Sequence, residues 1–215
     1  TYTNLEIICV EDCSTDKSRE ILEDYAKKDP RIKVIYNKEN SKLGPTRNVG
    51  FFKATGDYIH FLDSDDWLEI DAYEQLVQII NTNKNIDIIY FYLQEISNID
   101  KSLKKYYPQK PENTNKVISI DNKFRKNIEY LEQVWNKIYS KDFLQDFNIM
   151  HNDYACFEDM EFSLKCRIYA RNIYYLDKIL INYRTVRKDS LTDKYNLNDI
   201  NYILKSYLNA EKWCQ

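Results

Sequence analysis

Glycine is scarce. The chain has 215 residues and three glycines, Gly44, Gly50 and Gly56, where an average composition of about 7% would supply roughly fifteen. A glycine-rich phosphate loop of the usual kind is therefore excluded near the start of the chain. Long apolar runs are also missing. None approaches the roughly 20 residues of a membrane-spanning helix. No signal-peptide pattern is present. The five cysteines are odd in number, form no Cys-x-x-Cys, and accompany two distant histidines, His60 and His151. That spacing builds no local zinc site, and unpaired thiols suit a reducing cytoplasm. Nor is there an excess of positive charge: 31 basic against 34 acidic side chains give a net charge of −3. General nucleic-acid binding needs a clearly basic face, so nucleic acid is not an expected partner.

What remains is the composition of a water-soluble, folded domain, 43% hydrophobic and 30% charged, long enough to bury its own core. All three glycines fall between Asn37 and Asp66. Glycine serves where backbone angles are unusual or the chain approaches something closely, so this segment is the first place to expect a ligand. Gly56 alone reads more simply as a helix-to-strand turn.

Apolar runs at Leu5–Val10, Ile32–Tyr36, Tyr58–Leu62 and Ile86–Leu93 read as buried strands. Between them, helices are expected from a Ser14 or Thr15 cap to Lys28, from Gly44 to Ala54, and from Glu69 to Asn81. This alternation predicts βαβ units and an α/β fold with a mixed, mostly parallel sheet flanked by helices. Residues 97–116 are polar and lysine-rich and read as a surface excursion. A short strand is expected at Val117–Ile120. Helices are expected at Asn122–Glu132, Lys141–Phe147, Glu158–Tyr169 and Asn198–Trp213, and a strand at Asn172–Ile181.

Ligands in such sheets bind outside the carboxyl ends of the strands, and two acidic groups fall there. Asp63-Ser64-Asp65-Asp66 follows the third strand. Carboxylates about 5 Å apart repel by about 3 kcal/mol at an effective dielectric near 20, and a divalent cation turns that repulsion into binding. Hard oxygen donors suit Mg2+ or Mn2+, ions often shared with substrate phosphates. The alternative is a helix cap, strongest for Asp66. Glu11-Asp12 ends the first strand, where an acid can accept from a base imide or a ribose hydroxyl, or simply cap the loop. Arg47 can pair with a diphosphate, with the acidic cluster, or with a surface acid. Glu158-Asp159 opens a helix, where acids are favoured by the dipole alone; Asp159 facing the crevice would instead be a general base.

Five segments then occur in one order: VEDCSTDKS from Val10, NSKLGPTRNVGFFKATGDYIHFLDSDDWL from Asn40, VWNKIY from Val134, FEDMEF from Phe157 and YRTVRKDSLT from Tyr183. Together they resemble glycosyltransferase family 2, the inverting sugar transferases of bacterial polysaccharide synthesis. The resemblance implies a GT-A, Rossmann-like fold in a single domain over 1–215, with a nucleotide-sugar half at 1–96 and an acceptor half with the catalytic base at 97–215. It implies Asp159 as the base and Glu158 as its neighbour. Asp12 and Glu11 match the acids at the nucleotide base. Asp63, Ser64 and Asp65 match the D-x-D segment, with Asp65 and Asp63 on the metal. Arg47 borders the donor pocket, and Trp135, Asn136 and Lys137 match a motif near the donor sugar. Arg184 and Arg187 match a basic region reaching the phosphates.

Three departures accompany the match. The family opens with an apolar strand and helix ahead of the position of Leu5, so a first strand is expected to be missing. Glu11 stands for the more usual Asp, and Ser41-Lys42 for a common Gly-Gly. The implied activity is metal-dependent, inverting transfer of a sugar from a nucleoside diphosphate, UDP in particular, to a hydroxyl of a glycan or glycolipid acceptor. The expected location is the cytoplasm, with peripheral association at the inner membrane left open. Two rivals stay open: a transferase-like module that binds without turnover, and a sugar nucleotidyltransferase.

Overall fold

A computed structural model describes residues 1–97, 103–106, 114–120, 133–154, 156–185 and 199–213. The helix expected at Asn122–Glu132 and the candidate Arg187 lie outside them.

The first part of the chain alternates as its apolar runs require. Strand β1 is Ile7–Glu11 and helix α1 Ser18–Lys28. Strand β2 is Ile32–Tyr36, α2 Leu43–Lys53, β3 Tyr58–His60 and β4 Trp67–Leu68. Helix α3 is Ala72–Thr82, followed by β5 Ile88–Ser97 and β6 Leu103–Tyr106. Strand β7 is Val117–Ser119, β8 Lys137–Ser140 and α4 Lys141–Asp146. The remainder is α5 Glu158–Tyr169, β9 Asn172–Thr185 and α6 Ile200–Trp213.

Among the described residues β1 and β2 form a parallel pair of their own. The other strands make one mixed sheet in the order β3-β8-β5-β9-β4, with β6 on β5 and β7 on β9. Its longest ladder is the parallel pairing of β5 with β9 from Ile88↔Ile173 to Ser97↔Thr185. Strand side chains alternate between faces, and β5 is buried on both from Ile88 to Leu93. Ile88 and Tyr90 join Phe61, Tyr139 and Phe162 on one face. Ile89, Phe91 and Leu93 join Leu76 of α3 and Ile181 of β9 on the other. A small third cluster fixes α6 to α5 through Met160, Leu164 and Ala210.

Several expectations change. Neither Ser14 nor Thr15 caps α1, whose N-cap position is Lys17. The Ser14 N–H donates to the Glu11 carboxylate at 2.5 Å, so Ser14 closes the turn behind β1 and the helix starts later. Within the polar excursion, β6 pairs antiparallel with β5. Strand β9 outruns its apolar run because its last residues pair with Leu93–Ser97. Two of the three glycines hold helix contacts. A Cβ on Gly44 would sit 2.1 Å from the Asn152 carbonyl oxygen, and one on Gly50 3.4 Å from a Val10 methyl carbon. Gly44 thus lets α2 lie directly against the segment before α5, the element that carries Glu158 and Asp159. Lys42, at the expected Gly-Gly position, takes φ 69° and ψ 171°, a region that glycine alone enters freely.

Candidate active site

Helix α2 reaches the centre of the site through Arg47. Its guanidinium donates to Asp63 Oδ1 at 2.8 Å, to Glu158 Oε1 at 2.9 Å and to Asp159 Oδ1 in a short contact. Sequence separations of 111 and 112 residues join α2 to the start of α5. The arginine side chain is 8% exposed. Burial opposes its charge, but Asp159, Asp63 and Glu158 together raise its pKa well above the ordinary arginine value. Asp159 is pushed up to about 7, chiefly by burial, with Glu158 and Asp63 adding and Arg47 and Lys137 opposing. Near neutral pH it can therefore both take and give a proton.

Local structure explains why these acids point inward. Phe157, the residue before α5, adopts a left-handed φ of 57°, unusual for an aromatic. It turns the chain sharply so that the helix opens with Glu158 and Asp159 facing α2. Asn48, next to Arg47, fixes the depth of α2: its side-chain amide donates to the His151 carbonyl at 2.7 Å and accepts the His151 N–H at 3.0 Å.

Lys137 enters from β8 and is 2% exposed. Its ammonium donates to Asn136 Oδ1 at 2.8 Å and, in a short contact, to the Gln133 carbonyl, and lies 5.4 Å from the Tyr90 ring centre. Burial lowers its pKa to about 7. Asn136 is 1% exposed. Trp135 is also buried, its ring stacked on Tyr183 at 4.9 Å. Its carbonyl accepts His60 Nε2–H at 2.7 Å, while His60 Nδ1 meets the Tyr73 hydroxyl at 3.0 Å. Burial depresses the His60 pKa to about 4, so this imidazole is neutral.

The other acids serve different neighbours. Asp12 Oδ1 accepts from Asn37 Nδ2 at 2.7 Å and from the Ser41 N–H at 2.8 Å. Asn37 also reaches Thr46 Oγ1 at 3.4 Å, so Asp12 and Asp63 are linked through α2 and not by mutual contact. Asp65 is half-buried and Ser64 exposed in the loop after β3. Asp66 does not cap α3, which begins at Ala72. Its Oδ1 accepts the Arg184 N–H of β9 at 2.9 Å, its Oδ2 has no hydrogen-bond partner among the described residues, and burial raises its pKa to about 6. Arg184 thereby lies beside Asp66, with its guanidinium 5.3 Å from the Trp67 ring centre. Among the described residues no three His, Cys, Asp or Glu side chains converge as a ready cation cage.

Residues 1–147 match the model of the family described as "Glycosyl transferase family 2". The chain belongs to glycosyltransferase family 2. Among relatives in this family, EpsH of Bacillus subtilis is 32% identical over 198 residues, 91% of this chain and 56% of EpsH. Glycosyltransferase GlyA of Streptococcus pneumoniae is 29% identical over 205 residues, 89% of this chain and 28% of GlyA. The chain thus spans about half or less of these relatives' length. Among solved structures, S. aureus TarS 1–349 in complex with UDP-GlcNAc superimposes with a TM-score of 0.74 at 24% identity, covering 95% of this chain and 58% of that one. Its complex with UDP gives a TM-score of 0.68 at 25% identity over 84% of this chain and 51% of the other. The GT-A fold implied by the five segments is the fold observed.

Of the partners open to Arg47, the structure shows Asp63 of the acidic cluster, joined by Glu158 and Asp159. Nothing in the sequence pattern places His151 or Asn48 in the site. The pattern around His151, one histidine among residues that end in the core, carries no signal of its neighbours.

Proposed function

We propose that this chain is a glycosyltransferase domain that moves a sugar from a nucleoside diphosphate, UDP in particular, to a hydroxyl of a glycan or glycolipid acceptor, with inversion. The observation that carries this reading is the Arg47 cluster, which joins an acid of the donor segment, Asp63, to the candidate base, Asp159, through one guanidinium. The UDP and UDP-GlcNAc complexes of TarS support a nucleotide-sugar donor.

In this mechanism Asp159 takes the acceptor hydroxyl proton as the oxygen attacks the anomeric carbon, and the nucleoside diphosphate departs from the opposite face. Arg47 keeps the base partly ionised in a buried site, and Lys137 adds a second positive charge near it. Asp12, at the end of β1, lies on the nucleoside side. The donor set fits a hard divalent ion: Asp65 and Asp63 would supply one or two carboxylate oxygens, and diphosphate and water the rest. When bound, Mg2+ or Mn2+ supplies Lewis-acid neutralisation of the departing diphosphate.

The test is Asp159→Asn. UDP release from a panel of UDP-sugars should fall by roughly 100-fold or more, while UDP affinity by calorimetry stays within about threefold of the parent. With Asp159 near 7, the parent's rate should climb as pH rises through about 7, because only the ionised carboxylate accepts a proton. Undiminished turnover in the variant overturns the assignment.

A further inference from the structure

His151 occupies a pocket that suits a phenylalanine. Its ring stacks face to face on Phe162 at 4.3 Å and 10°, and the edge of Phe61 meets it at 5.0 Å and 89°. The side chain is fully buried. Its backbone is held at both the N–H and the carbonyl by Asn48, and its ring plane is set by Phe61 and Phe162. Among the described residues neither ring nitrogen has a hydrogen-bond partner of good geometry. Leaving such a group unpaired is unfavourable, a penalty that a phenyl ring would avoid. The polar group facing Nδ1 is Asp159, whose Oδ1 lies 3.7 Å away. This is roughly 0.7 Å beyond an ordinary N–H···O bond.

We propose that His151 is a positioning residue: its neutral imidazole, in the Nδ1–H tautomer, aims that N–H at Asp159 Oδ1 and orients the carboxylate. The proposal rests on the reading of Asp159 as the base. A buried neutral imidazole must carry one proton, on one nitrogen or the other. Beside an anionic oxygen, Nδ1–H is attracted where a bare Nδ1 lone pair is repelled. Burial and Arg47 hold the ring below its ordinary pKa, so the imidazolium is disfavoured. The charged and titratable groups facing the pair are Arg47 from α2, Asp63 after β3, Lys137 and Tyr139 from β8, and Glu158 on α5 itself. The Glu158 backbone is the competing polar group near the ring. With Arg47 pulling on the same carboxylate, Asp159 is gripped from two directions, and its oxygen nearest the ring is the one to be oriented.

The chain has two histidines, so long-range 1H–15N correlation spectra of the protein labelled with 15N-histidine resolve both. His60 is the internal reference, with Nε2–H set by the Trp135 carbonyl. The expected spectrum shows His151 neutral from about pH 5.5 to about pH 8, and as the Nδ1–H tautomer at about pH 8, where Asp159 is ionised. Asp159→Leu should move the His151 tautomer ratio toward Nε2–H by roughly tenfold. In His151→Phe, which keeps the ring stack, 13C-carboxyl NMR should show the Asp159 acid dissociation constant falling roughly three- to tenfold. An Nε2–H tautomer in the parent at about pH 8 overturns the proposal. So does a ratio indifferent to Asp159→Leu. Should His151→Phe fail to fold, the parent spectrum still decides. None of these readouts needs a donor or turnover, so active Asp159→Asn would defeat the base assignment separately.

Discussion

Replacing Arg47 by methionine keeps the length of the side chain and removes its charge. Three acids, Asp63, Glu158 and Asp159, then lose the cation that pairs with each of them. Removing one partner of a buried ion pair costs about 3–5 kcal/mol. Each pair of bare carboxylates about 5 Å apart adds roughly 3 kcal/mol at an effective dielectric near 20, unless a proton relieves it. Asp159 is the acid positioned to take that proton. Its folded pKa is already raised to about 7 from an unfolded value near 4, and loss of Arg47 moves it further up. A raised carboxyl pKa means the folded state binds a proton that the unfolded chain has released, so stability falls as pH climbs from about 4 toward the folded pKa. At about pH 5.5 Asp159 is mostly protonated when folded, and Arg47 serves two charged acids; at about pH 8 it serves three. Urea unfolding followed by tryptophan fluorescence should therefore show a larger penalty for Arg47→Met at the higher pH, with a melting temperature lower by roughly 10 °C there. Equal penalties at the two pH values, or a penalty under about 1 kcal/mol at both, would refute the claim that one buried cation neutralises this triad.

Lys42→Gly should stabilise the fold by about 1 kcal/mol, because φ 69° with ψ 171° strains any side chain; an unaltered urea midpoint counts against that strain. Gly44→Ala should destabilise by roughly 1–3 kcal/mol, since the new methyl meets the Asn152 carbonyl oxygen at 2.1 Å, and a parent-like melting curve would show that α2 yields freely. Asp65→Ala should weaken Mn2+-dependent UDP binding by about tenfold or more in calorimetry, and unaltered affinity removes Asp65 from the ion.

Local pattern carried much of the fold. The apolar run Ile32–Tyr36 is β2, and the acid-led stretch Glu158–Tyr169 is α5, to the residue. Pairing across long separations was less legible. Strand β9 continues past Ile181 because β5 offers it a partner, not because its residues grow more apolar. Trp67–Leu68 forms a strand for the same reason, against Ile181 and Asn182. In the site, Asp63, Asp159 and Arg47 could each be named from residue type and place. The convergence of the acids on Arg47 depends on a helix-to-loop approach that a single glycine, Gly44, permits. His151 was invisible because its partners, Phe61, Phe162 and Asp159, come from elsewhere in the chain.

The amide of Asn48 grips both backbone groups of His151, 103 residues away, much as one strand's peptide unit grips its neighbour. Aspartate lacks the donor, and glutamine sets the same two atoms a methylene farther out. The splice therefore works as a depth gauge. A slide of α2 by half a residue, about 0.75 Å, would draw Arg47 off its acids and swing the imidazole off Asp159 together, so the electrostatics of the base and its orientation share a single mechanical setting.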